Sequence, residues 1–251
     1  MGSAAGECRA VCVSPPAVDS TLGGKLLPSV LSVTAGSVDV IGFLGLGGLF
    51  TAHITGNLVI LAAHVASGGA AGLAPMLSVP VFMAILGLTR LLAIGLEAIQ
   101  LSTLRPLLLL QFLLIAGFLV LGVAAGPGID PNSLDAVVAG MLGVAAMAVQ
   151  NALVQISLPG VPATAVMTSN ITRFMMDVGT TLCGRDPHEV AAAHKRARQT
   201  WPAIVGFAVG CALGAVCEAA TGLWSLTLPA ALALSALGLG FATEPSGTEQ
   251  R

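Results

Sequence analysis

Eight apolar segments occupy most of this 251-residue chain, and most of them are close to the length of a helix that crosses a membrane. The hydrocarbon core of a bilayer is about 30 Å thick, and a helix needs roughly 20 residues to cross it. Most breaks between the segments contain glycine or proline, residues that end helices. The predicted segments span residues 26–50, 53–67, 76–98, 105–125, 134–156, 163–183, 200–220 and 223–241.

The composition agrees with a membrane protein. Charged residues make up 9% of the chain and hydrophobic residues 55%, whereas a soluble domain carries roughly 25% charged residues. The sequence therefore predicts an all-α, polytopic helix bundle in a lipid bilayer. We expect one membrane domain over residues 26–241, a flexible cytoplasmic tail over residues 1–25 and a disordered tail over residues 242–251.

Several functional classes are disfavoured. A net charge of -2 with no long basic tract leaves little to neutralise phosphates, so we expect no nucleic-acid binding. The five cysteines are scattered, and no metal-ligand spacing, phosphate-binding loop or hydrolase motif occurs. We therefore predict no cofactor, no metal and no enzymatic activity.

Two of the eight segments differ from the others. The segment at 53–67 is short, and the segment at 163–183 contains threonines, an asparagine and two charged residues. Polar groups are costly in lipid unless protein surrounds them or they line a wet cavity. This pattern is typical of the discontinuous or re-entrant helices of transporters.

A short motif relates these two segments. Thr55-Gly56-Asn57 in the first corresponds to Thr168-Ser169-Asn170 in the second when Asp39 is aligned with Asn151 and one residue is added to the second connection. The alignment predicts two repeats of four segments, over residues 26–125 and 134–241.

Charge bears on orientation, because short loops rich in Lys and Arg remain in the cytoplasm. The loop at 184–199 carries four of the ten basic residues. If all eight segments span, Arg105 lies outside. If the two polar segments are re-entrant, six helices span, Arg105 lies inside and the loop with Asp130 and Asp135 lies outside, which makes the repeats inverted. The charges favour the second arrangement, but the difference rests on one or two charged residues per loop. The sequence therefore predicts between six and eight membrane segments.

Candidate functional residues begin with Asp39, which lies midway along the first helix, where a carboxylate is costly and serves as a proton carrier or counter-ion. His53, Asn57 and His64 share one helical face that would point into a cavity. The alternative is that the two histidines lie at headgroup level and are simply solvated.

The second polar segment offers a similar set. Asn170, Arg173 and Asp177 are spaced three and four residues apart, so they share a face, and Arg173 with Asp177 is predicted to form an ion pair within the helix. The pair is either purely structural, or Arg173 also offers its charge to an anionic substrate or to Asp39.

Further candidates lie on other helices. Arg90 has no acid on its own helix closer than Glu97, so it either faces a cavity or extends to the membrane surface. Asn151 adds a hydrogen-bonding group to the fifth segment. Small residues allow helices to pack closely, and the spacing of Gly206, Gly210 and Gly214 predicts a packing ridge at a homo-oligomer interface.

These residues also resemble a known family. Ala35-Gly36-Ser37-Val38-Asp39, the stretch from Gly45 to Phe50, and Thr55-Gly56-Asn57 resemble the YoaK-like family of bacterial inner-membrane proteins, catalogued as domain of unknown function 1275. The resemblance spans about residues 30–241. Ser169 departs from the glycine expected in the second signature. The resemblance implies a multi-pass protein of the bacterial plasma membrane, without a substrate or catalytic residues.

The leading functional hypothesis is secondary transport of a small polar or anionic solute. In it, Asn57 and Asn170 bind the solute with the backbone at Thr55-Gly56 and Thr168-Ser169, near the bilayer midplane where the two broken segments meet. Asp39 takes up a coupling proton. One rival is a membrane scaffold or sensor that does not transport. A second rival is an enzyme that acts on lipid-soluble substrates through His53 and His64.

Overall fold

The computed structural model describes residues 22–68, 72–126, 128 and 130–242, with side chains from Leu26 onward. Over these residues the chain is helical and contains no β-strand, which confirms the predicted fold class. The elements are α1 (Leu22–Gly45), α2 (Ile54–Ala66), α3 (Leu73–Ala98), α4 (Leu104–Ala124), α5 (Leu134–Ser157), α6 (Met167–Cys183), α7 (Pro187–Thr221), a 3₁₀ turn (Gly222–Leu226) and α8 (Thr227–Ala242).

Several boundaries differ from the predicted ones. α1 ends at Gly45 rather than at residue 50, and α6 and α8 begin at Met167 and Thr227 rather than at residues 163 and 223. α1 begins at Leu22, so residues 22–25 are helical; the remainder of the N-terminal tail, and residues 243–251, lie outside the described residues. α7 begins at Pro187 rather than near residue 200 and continues through Pro202. The Asp186 carboxylate caps it by accepting from the His188 N–H at 2.9 Å, and proline is favourable in a first turn. Hydropathy missed this extension because its residues are polar.

α1 and α5 form the centre of the bundle. α5 is buried without interruption from Gly143 to Val154, and most of α1 is also buried. α1 packs against α7 and α8, whereas α5 packs against α3 and α4. The remaining contacts pair α2 with α3, α6 with α7, and α4 with α8.

The glycine ridge of α7 lies against α1. A Cβ atom on Gly206 would contact Ser32, one on Gly210 would overlap the backbone of Val33, and one on Gly214 would contact Ser37. The ridge is therefore a packing surface within the chain, and the prediction that it holds a second copy is corrected. The order of these contacts also means that α1 and α7 run in the same direction.

The helix ends gather at two ends of the bundle. At one end, the hydroxyl groups of Thr103 and Ser157 lie 2.8 Å apart, and Arg105 donates to the Gly240 carbonyl at 3.3 Å. This basic end contains the start of α4 and the ends of α5 and α8. We call the opposite end the acidic end, because Asp130 and Asp135 lie there, between α4 and α5 and in the first turn of α5. At this end Gly45 lies against Leu223, and Gly47 lies against Pro131.

α2 starts inside the bundle and returns to the acidic end. The linker after α1 turns back so that Thr51 lies beside Asp39 and Gly143. Asn57 then contacts Ser78 near the start of α3, so α2 and α3 form an antiparallel hairpin. With 13 residues α2 is about 20 Å long, too short to cross a 30 Å core.

α6 has the corresponding arrangement at the basic end. The linker after α5 turns back so that Thr164 reaches Gln150 in the middle of α5. Asp177 contacts Arg196 across the turn that joins α6 to α7, so these helices also form an antiparallel hairpin. α6 therefore leaves the bundle by the end from which its linker entered.

Five stretches of the described residues are long and apolar enough to cross a membrane: 26–45, 73–98, 104–124, 134–157, and 187–242, which contains both α7 and α8. Two exposed tryptophans flank the apolar part of α7 within the last stretch, since Trp201 is 47% and Trp224 62% exposed. Tryptophan is enriched at membrane interfaces. The helix from Trp201 to the end of α7 is about 30 Å long, so the start of α7 extends beyond the membrane.

Candidate functional site

The Asp39 carboxylate holds the linker that precedes α2. Its Oδ1 atom accepts from the backbone N–H of Thr51 at 2.8 Å and of Ala52 at 2.7 Å, and from the Thr51 hydroxyl at 3.3 Å. These N–H groups precede a helix and have no helical partner of their own. α1 ends at Gly45, so Asp39 lies in the last third of the helix rather than midway along it, as predicted. The buried carboxylate is stabilised by the backbone that it orders.

His53 completes this group. Its Nδ1 atom lies 2.6 Å from Asp39 Oδ2, a distance typical of a charge-assisted hydrogen bond. The imidazole packs edge-on against the Phe207 ring and is 37% exposed, whereas the Asp39 side chain is 5% exposed. His53 is therefore the more accessible member of the pair.

The Asn57 side chain is hydrogen-bonded to the same linker. Its Oδ1 accepts from the Phe50 N–H at 2.9 Å, and its Nδ2 donates to the Phe50 carbonyl at 2.7 Å and to Ser78 Oγ at 2.9 Å. Both polar atoms of this fully buried amide are used. Asn57 consequently positions the start of α2, and the structure offers no direct support for its predicted contact with a solute.

The Phe50 ring lies over position 56 and explains why a glycine occurs there. A Cβ atom at this position would lie 2.9 Å from the Phe50 ring. In the second half, Ser169 occupies the position of Gly56, and Ala163 occupies that of Phe50. Because no ring covers Ser169, the departure from the family signature is accommodated.

The second half repeats part of this network with different residues. Asn170 donates to the Ala163 carbonyl seven residues earlier at 2.5 Å, as Asn57 does to Phe50. Gln150, rather than Asn151, reaches the linker: it donates to Thr164 at 2.8 Å and to the Leu31 carbonyl at 2.9 Å. Asn151 instead donates to the Met147 carbonyl of its own helix.

Asp177 forms its ion pair with Arg196 of α7. Both Nε and Nη2 of Arg196 donate to Asp177 Oδ1, at 3.0 and 2.6 Å. The prediction of an Arg173–Asp177 pair within α6 is therefore wrong, because the α6–α7 hairpin brings in a better partner. Arg173 has no hydrogen bond or ion pair with any described residue and is exposed.

Arg173 lines a cavity at the basic end. The cavity measures about 640 Å³ and lies between α6, the start of α7 and the linker at Gly160. Its polar lining comes from Asn170, Thr172, Arg173, Asp177, Arg196, Gln199 and Thr200. Two guanidinium groups and one carboxylate leave one positive charge, which suits a carboxylate or phosphate group.

Other predicted residues lie outside this cavity. Arg90 is exposed on α3, lies 3.5 Å from Glu97 and is not among the residues that line this cavity. Thr55 is exposed, and the Thr168 carbonyl accepts from Thr172 at 2.9 Å. His64 is exposed, and its Nδ1 bonds only to the Ile60 carbonyl.

The predicted residues thus form two groups rather than one midplane site. Asp39 lies at the level of Gly214 on α7, whereas the basic-end cavity lies at the level of Arg196. An α-helix rises about 1.5 Å per residue, so the two groups are separated by roughly 27 Å along α7. Arg173 is therefore too far from Asp39 to neutralise it directly.

Sequence reasoning missed several partners, including Thr51, Ser78, Gln111, Thr164 and Arg196. A signal for two of them was present, since Thr51-Ala52 and Thr164-Ala165 both precede the Thr-x-Asn motif by four residues. Gln111 donates to Gln150 at 2.7 Å, and its Oε1 has no described partner. No group of three or more metal-binding side chains occurs among the described residues.

Comparisons with known proteins agree with this architecture. A family model described as "Protein of unknown function (DUF1275)" matches residues 27–239. A 35-residue stretch is 63% identical to the UPF0700 transmembrane protein YoaK of Bacillus subtilis (strain 168), and covers 14% of this chain and 16% of that protein. No solved structure matches.

The family match covers almost all of the described helices, from α1 to α8. The resemblance recognised in the helix α1 and α2 motifs is therefore confirmed, and this chain is a membrane protein that belongs to the DUF1275 family of proteins of unknown function.

Proposed function

We propose that this protein is a secondary transporter of a small polar or anionic solute in the bacterial plasma membrane, with its basic end in the cytoplasm. The orientation is supported by charge. Arg105, Arg185, Lys195 and Arg198 lie at the basic end, and no described Lys or Arg lies at the acidic end. Positive residues in short loops remain inside.

The observation that carries the proposal is the unpaired Arg173 in a water-accessible cavity. A guanidinium that has no partner among the described residues, and that lies beside Asn170 and Thr172, offers directed donors to an incoming carboxylate or phosphate. The volume of about 640 Å³ is within the range of small-molecule sites. The Asp177–Arg196 pair fixes one wall of the cavity.

The helix arrangement supports transport rather than simple binding. Each helix of the first half, α1–α4, has a counterpart four places later in the second half, α5–α8, and the helix contacts repeat under this correspondence. The contact of α1 with α7 corresponds to that of α5 with α3, the contact of α1 with α8 to that of α5 with α4, and the contact of α2 with α3 to that of α6 with α7. α2 and α6 enter from opposite ends. Inverted repeats with short interrupted helices are a recurrent transporter design, in which one half rocks against the other.

We assign the coupling proton to the Asp39–His53 pair. A proton passed on by His53 arrives at Asp39 Oδ2, which faces the imidazole, and it neutralises the carboxylate. Oδ1 then becomes a weaker acceptor for the N–H groups of Thr51 and Ala52, which hold the linker. His53 is partly exposed and is the exchange group. Proton uptake at this pair would loosen the α2 linker at the acidic end while the solute cavity faces the basic end.

The rival scaffold hypothesis loses one of its supports. A scaffold would use the glycine ridge at an interface between proteins, whereas Gly210 packs against α1 of the same chain. Damage at Gly210 or Asn57 would now affect folding under either hypothesis. Arg173 separates them better, because a scaffold has no need of an unpaired charge in this cavity.

Replacing Arg173 with glutamine is expected to weaken anion binding at least about tenfold, since hydrogen bonds to charged groups contribute roughly 1.5–3 kcal/mol. The measurement is the stabilisation of the purified protein by inorganic phosphate and by small mono- and dicarboxylates, followed by uptake of any stabilising compound into proteoliposomes. Arg185→Gln is the matched control, because Arg185 is exposed outside the cavity.

Loss of binding and uptake in Arg173→Gln, with the control unchanged, supports the transporter. Binding without uptake would favour a sensor. If no anion stabilised the protein, or if Arg173→Gln bound the same anion as tightly as the natural chain, the proposed solute site would be wrong.

A further inference from the structure

A second cavity opens at the acidic end of the bundle. It measures about 520 Å³ and lies where three helices end: α1 at Gly45, α4 at Ala124 and α7 at Thr221. The cavity is distinct from the proposed solute cavity, which lies at the opposite end of α7. Neither the family match nor the proposed transport cycle assigns it a role.

The electrostatics of this cavity favour a cation. The last carbonyl groups of a helix lack helical partners, and a helix C-terminus carries about half a negative charge. Three such ends surround the cavity, and Glu218 adds a carboxylate. No Lys, Arg or His is among its described lining residues.

Glu218 keeps an available oxygen. Its Oε2 accepts from Ser225 Oγ at 2.7 Å, which orients the carboxylate. Its Oε1 lies beside Gly45, 3.1 Å from where a Cβ would be, and no described donor reaches it. The absence of a side chain at Gly45 therefore leaves access to this oxygen.

The other walls are apolar. Leu44, Val123, Leu223 and Trp224 line the cavity, and Trp224 is largely exposed. An indole face attracts cations, most strongly when the site excludes water. A bare metal ion needs six or more oxygen ligands that converge on one point, several of them usually carboxylates. This cavity has one carboxylate, and an indole and apolar side chains form much of its wall, so it suits an organic ammonium ion, which the helix ends and Glu218 attract through its charge.

We propose that the acidic-end cavity binds a small organic cation, with Glu218 as its counter-ion and Trp224 as its aromatic wall. The site does not depend on the proposed anion transport, because its residues lie at the other end of the bundle. It is accessible from the side opposite the basic cavity.

Tetramethylammonium chloride is the probe, titrated into the purified full chain against sodium chloride at equal ionic strength. The chain has two tryptophans, so Trp201→Phe leaves Trp224 as the only indole reporter. We expect a saturable change in Trp224 emission and a rise in Tm with tetramethylammonium but not with sodium. Glu218→Gln should weaken binding at least about tenfold, because it removes the charge.

Glu189→Gln is the control, since Glu189 is exposed in the first turn of α7 at the basic end. If Glu218→Gln does not fold, Trp224→Leu is the decisive variant. Because it lacks the Trp224 indole, its binding of tetramethylammonium is measured by the rise in Tm, and the affinity should be about two- to fivefold weaker. The proposal is overturned by the absence of a saturable response, by an equal response to sodium, or by unchanged affinity in the decisive variant.

Discussion

Replacing Asp39 with alanine is expected to lower the free energy of unfolding by about 3–5 kcal/mol. The substitution leaves the buried N–H groups of Thr51 and Ala52 without their acceptor, and each such orphaned group costs roughly 1–3 kcal/mol. The loss of the hydrogen bond between Asp39 and His53 lowers the free energy of unfolding further. Thermal or denaturant unfolding of the purified chain measures the effect.

Asp39→Asn is the graded variant, because it keeps one oxygen acceptor for the linker while it removes the charge that pairs with His53. We expect it to lose less stability than Asp39→Ala. Asp135→Ala is the control, since Asp135 is exposed in the first turn of α5. Equal stability of Asp39→Ala and Asp135→Ala would show that Asp39 does not hold the linker.

Replacing Gly210 with leucine should be still more damaging, with a loss of about 4 kcal/mol or more, at the upper end of single-residue effects. A Cβ at Gly210 overlaps the backbone of Val33, which cannot move without separating α1 from α7. Overpacked interiors respond by such backbone shifts. The amount of folded protein recovered in detergent and its Tm are the measurements.

Gly238→Leu provides the matched control. Gly238 lies in the interior of α8, and no neighbouring atom lies within 4 Å of its Cβ position. We expect a change of no more than about 0.5 kcal/mol there. If both leucine variants were equally stable, the glycine ridge would not be the contact that joins α1 to α7.

The number and order of helices could be predicted because the bilayer imposes a minimum apolar length and because turns concentrate glycine and proline. The extension of α7 could not, because residues 187–199 are polar and hydropathy reports burial in lipid rather than helix formation. Their Asp186-Pro187 start is a capping signal. The sequence therefore contains a signal for the start of this helix, although its residues are polar.

The candidate site was predicted only in part. Helical spacing brought Asn170, Arg173 and Asp177 to one side of α6, and all three line the basic-end cavity. Spacing along one helix says nothing about the neighbouring helix, so Arg196 was missed. The same limitation made the glycine ridge look available to a second copy.

Polar residues in a membrane segment have two uses that sequence does not distinguish. They bind a solute, or they satisfy a backbone that leaves a helix inside the bundle. Asp39 and Asn57 have the second use, because their hydrogen bonds go to residues 50–53. Among the charged candidate residues, only Arg173 has no partner in the described part of the chain, which is why it carries the functional proposal.

The account depends most on α2 and α6 being short hairpin arms that return to opposite ends of the bundle. Their C-terminal ends are exposed at Ser67 and Cys183. The measurement is labelling of single-cysteine variants, Ser67→Cys or native Cys183 in an otherwise cysteine-free chain, with a membrane-impermeant maleimide before and after permeabilisation of the cells.

We predict that Ser67→Cys is labelled in intact cells and that Cys183 is labelled only after permeabilisation. That result places the end of α2 outside and the end of α6 inside, as six crossing helices with two opposed hairpins require. Labelling of both positions from the same side would mean that at least one of α2 and α6 crosses the membrane, and it would contradict the inverted arrangement on which the proposed transport rests.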